Sequence, residues 1–154
     1  MFGDKMKKLI KRGLIFVALG FLLGEVMFGD VKKYWNQLQK MDTYYFLQEG
    51  MYSDLNELQS NMRNISQKLI DTEKDKYYVY VGITKDKEIA ETIIDIYEKK
   101  GFKIHAKEKS LSSPEFSENV NQFDLLIKDT EEEDQILVIE KVVLANYEEI
   151  VKKK

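Results

Sequence analysis

The chain is 154 residues long, about a third of them charged, with a net charge of −3, no cysteine and one histidine. The absence of cysteine excludes a disulfide framework, a thiol nucleophile and a cysteine-ligated metal. A His-based metal site or a Ser-His-Asp triad would rest on His105 alone. No glycine-rich phosphate loop appears: Gly82-Ile83-Thr84-Lys85 lacks the upstream glycine of a P-loop. The composition therefore predicts a non-enzymatic protein with no cofactor and no metal.

Residues 1–12 form a basic tail carrying Lys5, Lys7, Lys8, Lys11 and Arg12 against one acid, Asp4, for a charge of +4. Residues 13–28 read GLIFVALGFLLGEVMF, an apolar run whose one charge, Glu25, lies near its far end. A spanning helix needs roughly 20 residues, within a range of about 17–25. Leu9 and Ile10 lengthen the run, and Lys11 and Arg12 can carry their charges to the interface. The run is apolar all round, unlike a core helix, and residues 21–30 offer no small-residue cleavage site. We therefore expect an uncleaved transmembrane anchor at 13–30. The positive-inside rule sets the N-terminus in the cytoplasm and the rest of the chain outside it, at the cell membrane. Subtracting +4 from −3 leaves −7 for residues 13–154. An acidic remainder without a basic cluster argues against nucleic acid as a partner.

Residues 31–75 are expected to form a helical stalk. Met51, Leu55, Leu58, Met62, Ile65 and Leu69 repeat at heptad spacing, and Val31, Tyr34, Leu38, Met41 and Tyr45 form an earlier phase, with a break near Gly50. Two uses of the seam are open: a homo-oligomeric coiled coil, or an amphipathic helix folded back on the C-terminal domain. Residues 71–76, DTEKDK, read as the hinge into that domain.

The domain is assigned to 76–154. Residues 77–83, YYVYVGI, alternate as a strand. A helix follows over about 85–100, with Ile89, Ala90, Ile93, Ile94 and Tyr97 as its apolar stripe and Gly101 as its C-terminal stop. A second strand runs over about 102–107. Ser113-Pro114-Glu115 reads as a helix start, giving a short helix or turn to about Val120. A third strand is expected at 123–128. Thr130 to Glu133 fits a capping box opening a long helix to about Val151. The order predicts an α+β fold: a small antiparallel sheet, ferredoxin-like, with two helices on one face and the other face open.

The stretch YYVYVGITKDKEIAETIIDIYEKKGF, residues 77–102, resembles the opening of a SPOR (sporulation-related repeat) domain. Val79, Val81, Gly82, Ala90 and Gly101 stand at the matching positions. The resemblance implies a single-pass protein with an extracytoplasmic domain that binds peptidoglycan glycan in division or sporulation, favouring strands stripped of stem peptides. From the residues themselves, if Val79, Val81, Ile104 and Leu125 face the helices, the open face carries Tyr78, Tyr80, Lys103, His105, Lys107 and Lys128. Rings flanked by cations suit a sugar chain, and equally an acidic protein partner. The alternative function is a non-catalytic interaction protein whose stalk oligomerises and whose domain docks a partner in a membrane complex.

Overall fold

The structure is a computed structural model and describes residues 40–153. The basic tail, the expected anchor and residues 31–39 of the expected stalk lie outside the described residues. Among those that are described, no helix is long and apolar enough to cross a membrane.

The elements follow in the order β1 (Asp42–Tyr52), α1 (Leu55–Asn61), β2 (Leu69–Glu73), β3 (Lys76–Thr84), α2 (Lys87–Lys99), β4 (His105–Leu111), α3 (Pro114–Lys128) and α4 (Glu133–Tyr147), with a π-helical turn over Glu148–Lys152. The four strands form one sheet in the order β2-β3-β1-β4, and every neighbouring pair is antiparallel. The fold is therefore α+β, and its first six elements are two consecutive strand–helix–strand units.

Residues 41–75 belong to this compact unit rather than to a stalk. β1 is a central strand, flanked by β3 and β4. Its residues are buried on both sides: Tyr44 and Phe46 on one face, Leu47 on the other. Four of the six expected seam residues are consumed in the core, while Met51 and Leu55 stay exposed. Leu58, Met62 and Ile65 pack under the sheet with Val79, Val81, Ile93 and Ile96, and Leu69 begins β2 in the opposite cluster. Residues 51–69 therefore carry no long helix and no free oligomerisation seam. The expected hinge at 71–76 is a hairpin in which Glu73 pairs with Lys76 across Lys74 and Asp75. Both turn residues have positive φ, 51° and 60°, the geometry of a two-residue type I′ turn, whose twist matches that of paired strands.

α2 follows its expected course. Asp86 accepts hydrogen bonds from the backbone N–H groups of Glu88 and Ile89 and so caps the first turn. Gly101, at φ 88°, ends the helix, with Phe102 N–H bonded to Tyr97 O and Gly101 N–H to Glu98 O, a Schellman closure. The expected third strand at 123–128 is instead the second half of α3. Pro114 starts that helix, and Phe116, Val120 and Ile127 repeat at helical spacing on its buried side, so no strand end falls at Val120.

Helices cover both faces of the sheet. α1 and α2 pack on the Leu47–Val79–Val81 face. Phe116 and Val120 of α3, with Val143, Leu144 and Tyr147 of α4, pack on the face of Tyr44, Phe46, Tyr80 and Ile83. A bulge keeps these sets apart. Leu47 pairs with Gly82 and Gln48 with Tyr80, which leaves Val81 without a partner in the ladder, so Val81 and Gly82 both turn toward Leu47.

Candidate functional site

The register assembles an aromatic and cationic face. Pairing of β1 with β4 sets Lys109 opposite Tyr44, Lys107 opposite Phe46 and His105 opposite Gln48. Pairing of β1 with β3 sets Tyr80 opposite Gln48 and Tyr78 opposite Met51. Four of the six expected residues, Tyr78, Tyr80, His105 and Lys107, therefore share one face. Lys109, which the sequence reading passed over, joins them. Its Nζ lies 4.6 Å from the Tyr80 ring centroid and 5.0 Å from that of Phe46. These distances place the ammonium in the attractive field of both rings.

This face is not open as expected. Phe46 meets Tyr147 edge-on at 5.3 Å, Phe116 meets Tyr147 at 5.4 Å, and Tyr44 packs on Phe116 at 5.5 Å. The residues of α3 and α4 bury the aromatic centre, leaving Tyr80 only 2% exposed. Tyr78 stays half-buried, while His105 and Lys107 are exposed on β4. Lys103 is exposed in the segment before β4. Lys128 is not on the sheet: it ends α3 and pairs with Asp86 at 2.5 Å, holding that carboxyl below its usual range. What remains accessible of the predicted site is the rim formed by Tyr78, His105 and Lys107, with Lys103 beside it in sequence.

A second group of polar residues sits where β1, β3 and α3 meet. Ser117 Oγ donates to Asp42 Oδ2 and accepts from Lys85 Nζ at 2.8 Å, and Lys85 also pairs with Asp42 at 3.3 Å. The trio fastens α3 to the sheet. Next to it, Asp124 accepts from Thr84 Oγ1 at 2.7 Å and from Lys85 N at 3.1 Å. A shallow pocket of about 300 Å³ opens here, lined by Lys85, Asp86, Asn121, Asp124, Leu125 and Lys128. Of its charged residues, Lys128 pairs with Asp86, while Lys85 pairs with Asp42 outside the pocket. Among the described residues no group of His, Asp and Glu could hold a metal ion.

A signal for the first half of the site was present in the sequence. Tyr44-Tyr45, Gly50 and Asp54 stand in the first strand–helix unit much as Tyr77-Tyr78, Gly82 and Asp86 stand in the second. Both aspartates cap their helices. Compared with protein-family models, with curated proteins and with solved structures, the chain matches none.

Proposed function

We propose that the chain is a membrane-tethered, non-catalytic binding module of SPOR type, built on a ferredoxin-like scaffold, that contacts peptidoglycan glycan in division or sporulation. The observation that carries this reading is the pair of strand–helix–strand units in the sheet order β2-β3-β1-β4, with Tyr78, His105 and Lys107 accessible along one face. Tyr78 offers a ring edge for a sugar. Lys107 and His105 offer donors for hydroxyl groups and for the lactyl carboxylates of a stripped strand. The residues outside the structure, 13–30, supply the tether. The test is sedimentation of the full-length protein with cell-wall sacculi, intact and stripped of stem peptides. The reading expects retention on both, with preference for the stripped glycan; no retention on either overturns it.

A second reading is favoured by one observation, the burial of Tyr80 and Phe46 beneath the protein's own α3 and α4. An aromatic platform already occupied from within serves stability, and the domain then works by docking a protein. Cross-linking of the full-length protein in native membranes tests it: a specific cross-linked partner supports it, and none contradicts it.

A further inference from the structure

The two edges of the sheet differ. At the β2 edge, Lys152 Nζ donates to Ile70 O at 2.8 Å and pairs with Asp71 at 3.6 Å, so the last helical turn occupies part of that edge. At the other edge, no strand pairs with the outer side of β4 among the described residues. β4 is seven residues long, and five of them, His105 to Glu108 and Ser110, are exposed. Such an edge presents unpaired backbone donors and acceptors to any extended chain.

The side chains select which chain can use it. They alternate, with His105, Lys107 and Lys109 toward one face and Ala106, Glu108 and Ser110 toward the other. A second copy pairing antiparallel on the same edge is disfavoured in both central registers. Centred on Lys107, the pairing sets that lysine against its own counterpart. Centred on Glu108, it sets Glu108 against Glu108 and Lys107 against Lys109. Like charges directly opposite destabilise a strand pair. A strand bearing Asp or Glu at every second position sets one of them against the exposed Lys107 instead, Lys109 being held inward over Phe46 and Tyr80, and with small polar residues between them it leaves Glu108 unopposed.

We propose that the β4 edge takes up an extended acidic peptide segment as a fifth strand. The backbone ladder provides the affinity, and Lys107 provides the choice of partner. This site uses the edge of the sheet and shares Lys107 with the face proposed for glycan, and the peptide and sacculus measurements read the two separately.

The test titrates the full-length protein, in detergent micelles, into a labelled octapeptide of alternating Asp and Thr. Two controls accompany it: a peptide of the same composition with its four Asp in one block, and the alternating peptide N-methylated along both edges. The proposal expects salt-dependent binding of the alternating peptide, binding about tenfold or more weaker for the block peptide, and loss of binding when both edges are N-methylated. Lys107→Glu, an exposed change whose melting temperature is checked alongside, is expected to weaken binding about tenfold or more. No binding of the alternating peptide overturns the proposal. Equal binding of alternating and block peptides, or undiminished binding after N-methylation, also overturns it by showing charge attraction without strand pairing.

Discussion

Glu140, on α4, accepts a hydrogen bond at 3.0 Å from the backbone N–H of Ile83 on β3. The contact replaces a missing strand. β2 pairs with β3 only from Lys76 to Tyr80, so beyond Tyr80 the same side of β3 has no ladder partner. Glu140 serves Ile83 there, and Asp124 of α3 serves Lys85 and Thr84. Two side-chain carboxyls thus satisfy backbone and hydroxyl donors that would otherwise be buried without partners, a loss worth about 1–3 kcal/mol for each group. They also fix how α3 and α4 lie against the sheet.

This arrangement makes stability depend on pH. Glu140 is fully buried, and burial, reinforced by the charge of Asp124, pushes its pKa up to about 8. Asp124 is raised in the same direction, chiefly by burial. Tyr97, on α2, faces the same carboxyl and is itself pushed up to about 12, mainly by burial. A raised carboxyl pKa means that the native state keeps a proton the unfolded chain gives up. The stability Glu140 contributes is complete below about 4.5 and is lost as the pH rises through about 8, a change on the order of a few kcal/mol. Urea midpoints between pH 5 and 9 should fall with rising pH. In Glu140→Gln, which is neutral and keeps the acceptor, most of that slope should vanish. A flat profile in the parent protein would contradict this.

Gly82 is where the carboxyl comes close to the backbone. A Cβ at this position would lie 3.0 Å from Glu140 Oε2 and 3.0 Å from Leu47 Cδ1. Neither neighbour can retreat freely, since Leu47 is fully buried and Glu140 is tied to Ile83. Gly82→Ala is expected to destabilise by about 1–3 kcal/mol, read as a lowered thermal midpoint.

The apolar residues at 58–65 separate a core from a coiled coil. Leu58, 2% exposed, packs beneath the sheet with Met62 and Ile65. Leu58→Ala should cost about 2–4 kcal/mol in denaturant unfolding, independent of protein concentration. A coiled-coil seam would instead give a concentration-dependent loss with a change of mass in sedimentation.

The β2–β3 turn is built from residues poorly suited to it. Lys74 and Asp75 both hold positive φ, which side chains with a Cβ tolerate at some cost. Asp75→Gly should raise stability by about 0.5–1 kcal/mol without moving the register, measured by the urea midpoint and by amide spectra of β2 and β3. A destabilised variant would show that the turn is not of this type.

How much of this was legible in the sequence depended on which residues carried a one-sided pattern. Val79 and Val81 alternate, and α2 shows its stripe and its Gly101 stop, so both elements were read close to their observed bounds. β1 was misread because a central strand buried on both faces loses its alternation; DTYYFLQEGMY carries apolar or aromatic residues on either side. The heptad spacing from Leu58 to Leu69 arose by coincidence from a short helix, a loop and a strand start whose apolar residues face the core. In α3 the polar Asp124 stands at a buried position between Val120 and Ile127, which broke the helical stripe and let FDLLIK pass for a strand. The reason for Asp124, its bonds to Thr84 and Lys85, lies far away in sequence. For the site, alternation alone put Tyr78, Tyr80, His105 and Lys107 on one face. The cover laid over Tyr80 by α3 and α4 depends on where those helices dock, which no local pattern records.

The measurement that tests the account most directly compares the full-length protein with its His105→Ala/Lys107→Ala variant for retention on sacculi stripped of stem peptides. Both residues are exposed on β4, so the melting temperature should stay within a few degrees of the parent. The account predicts that the parent is retained and that the variant loses most of its retention. Equal retention of the two proteins would contradict it and place any wall binding elsewhere than on this face.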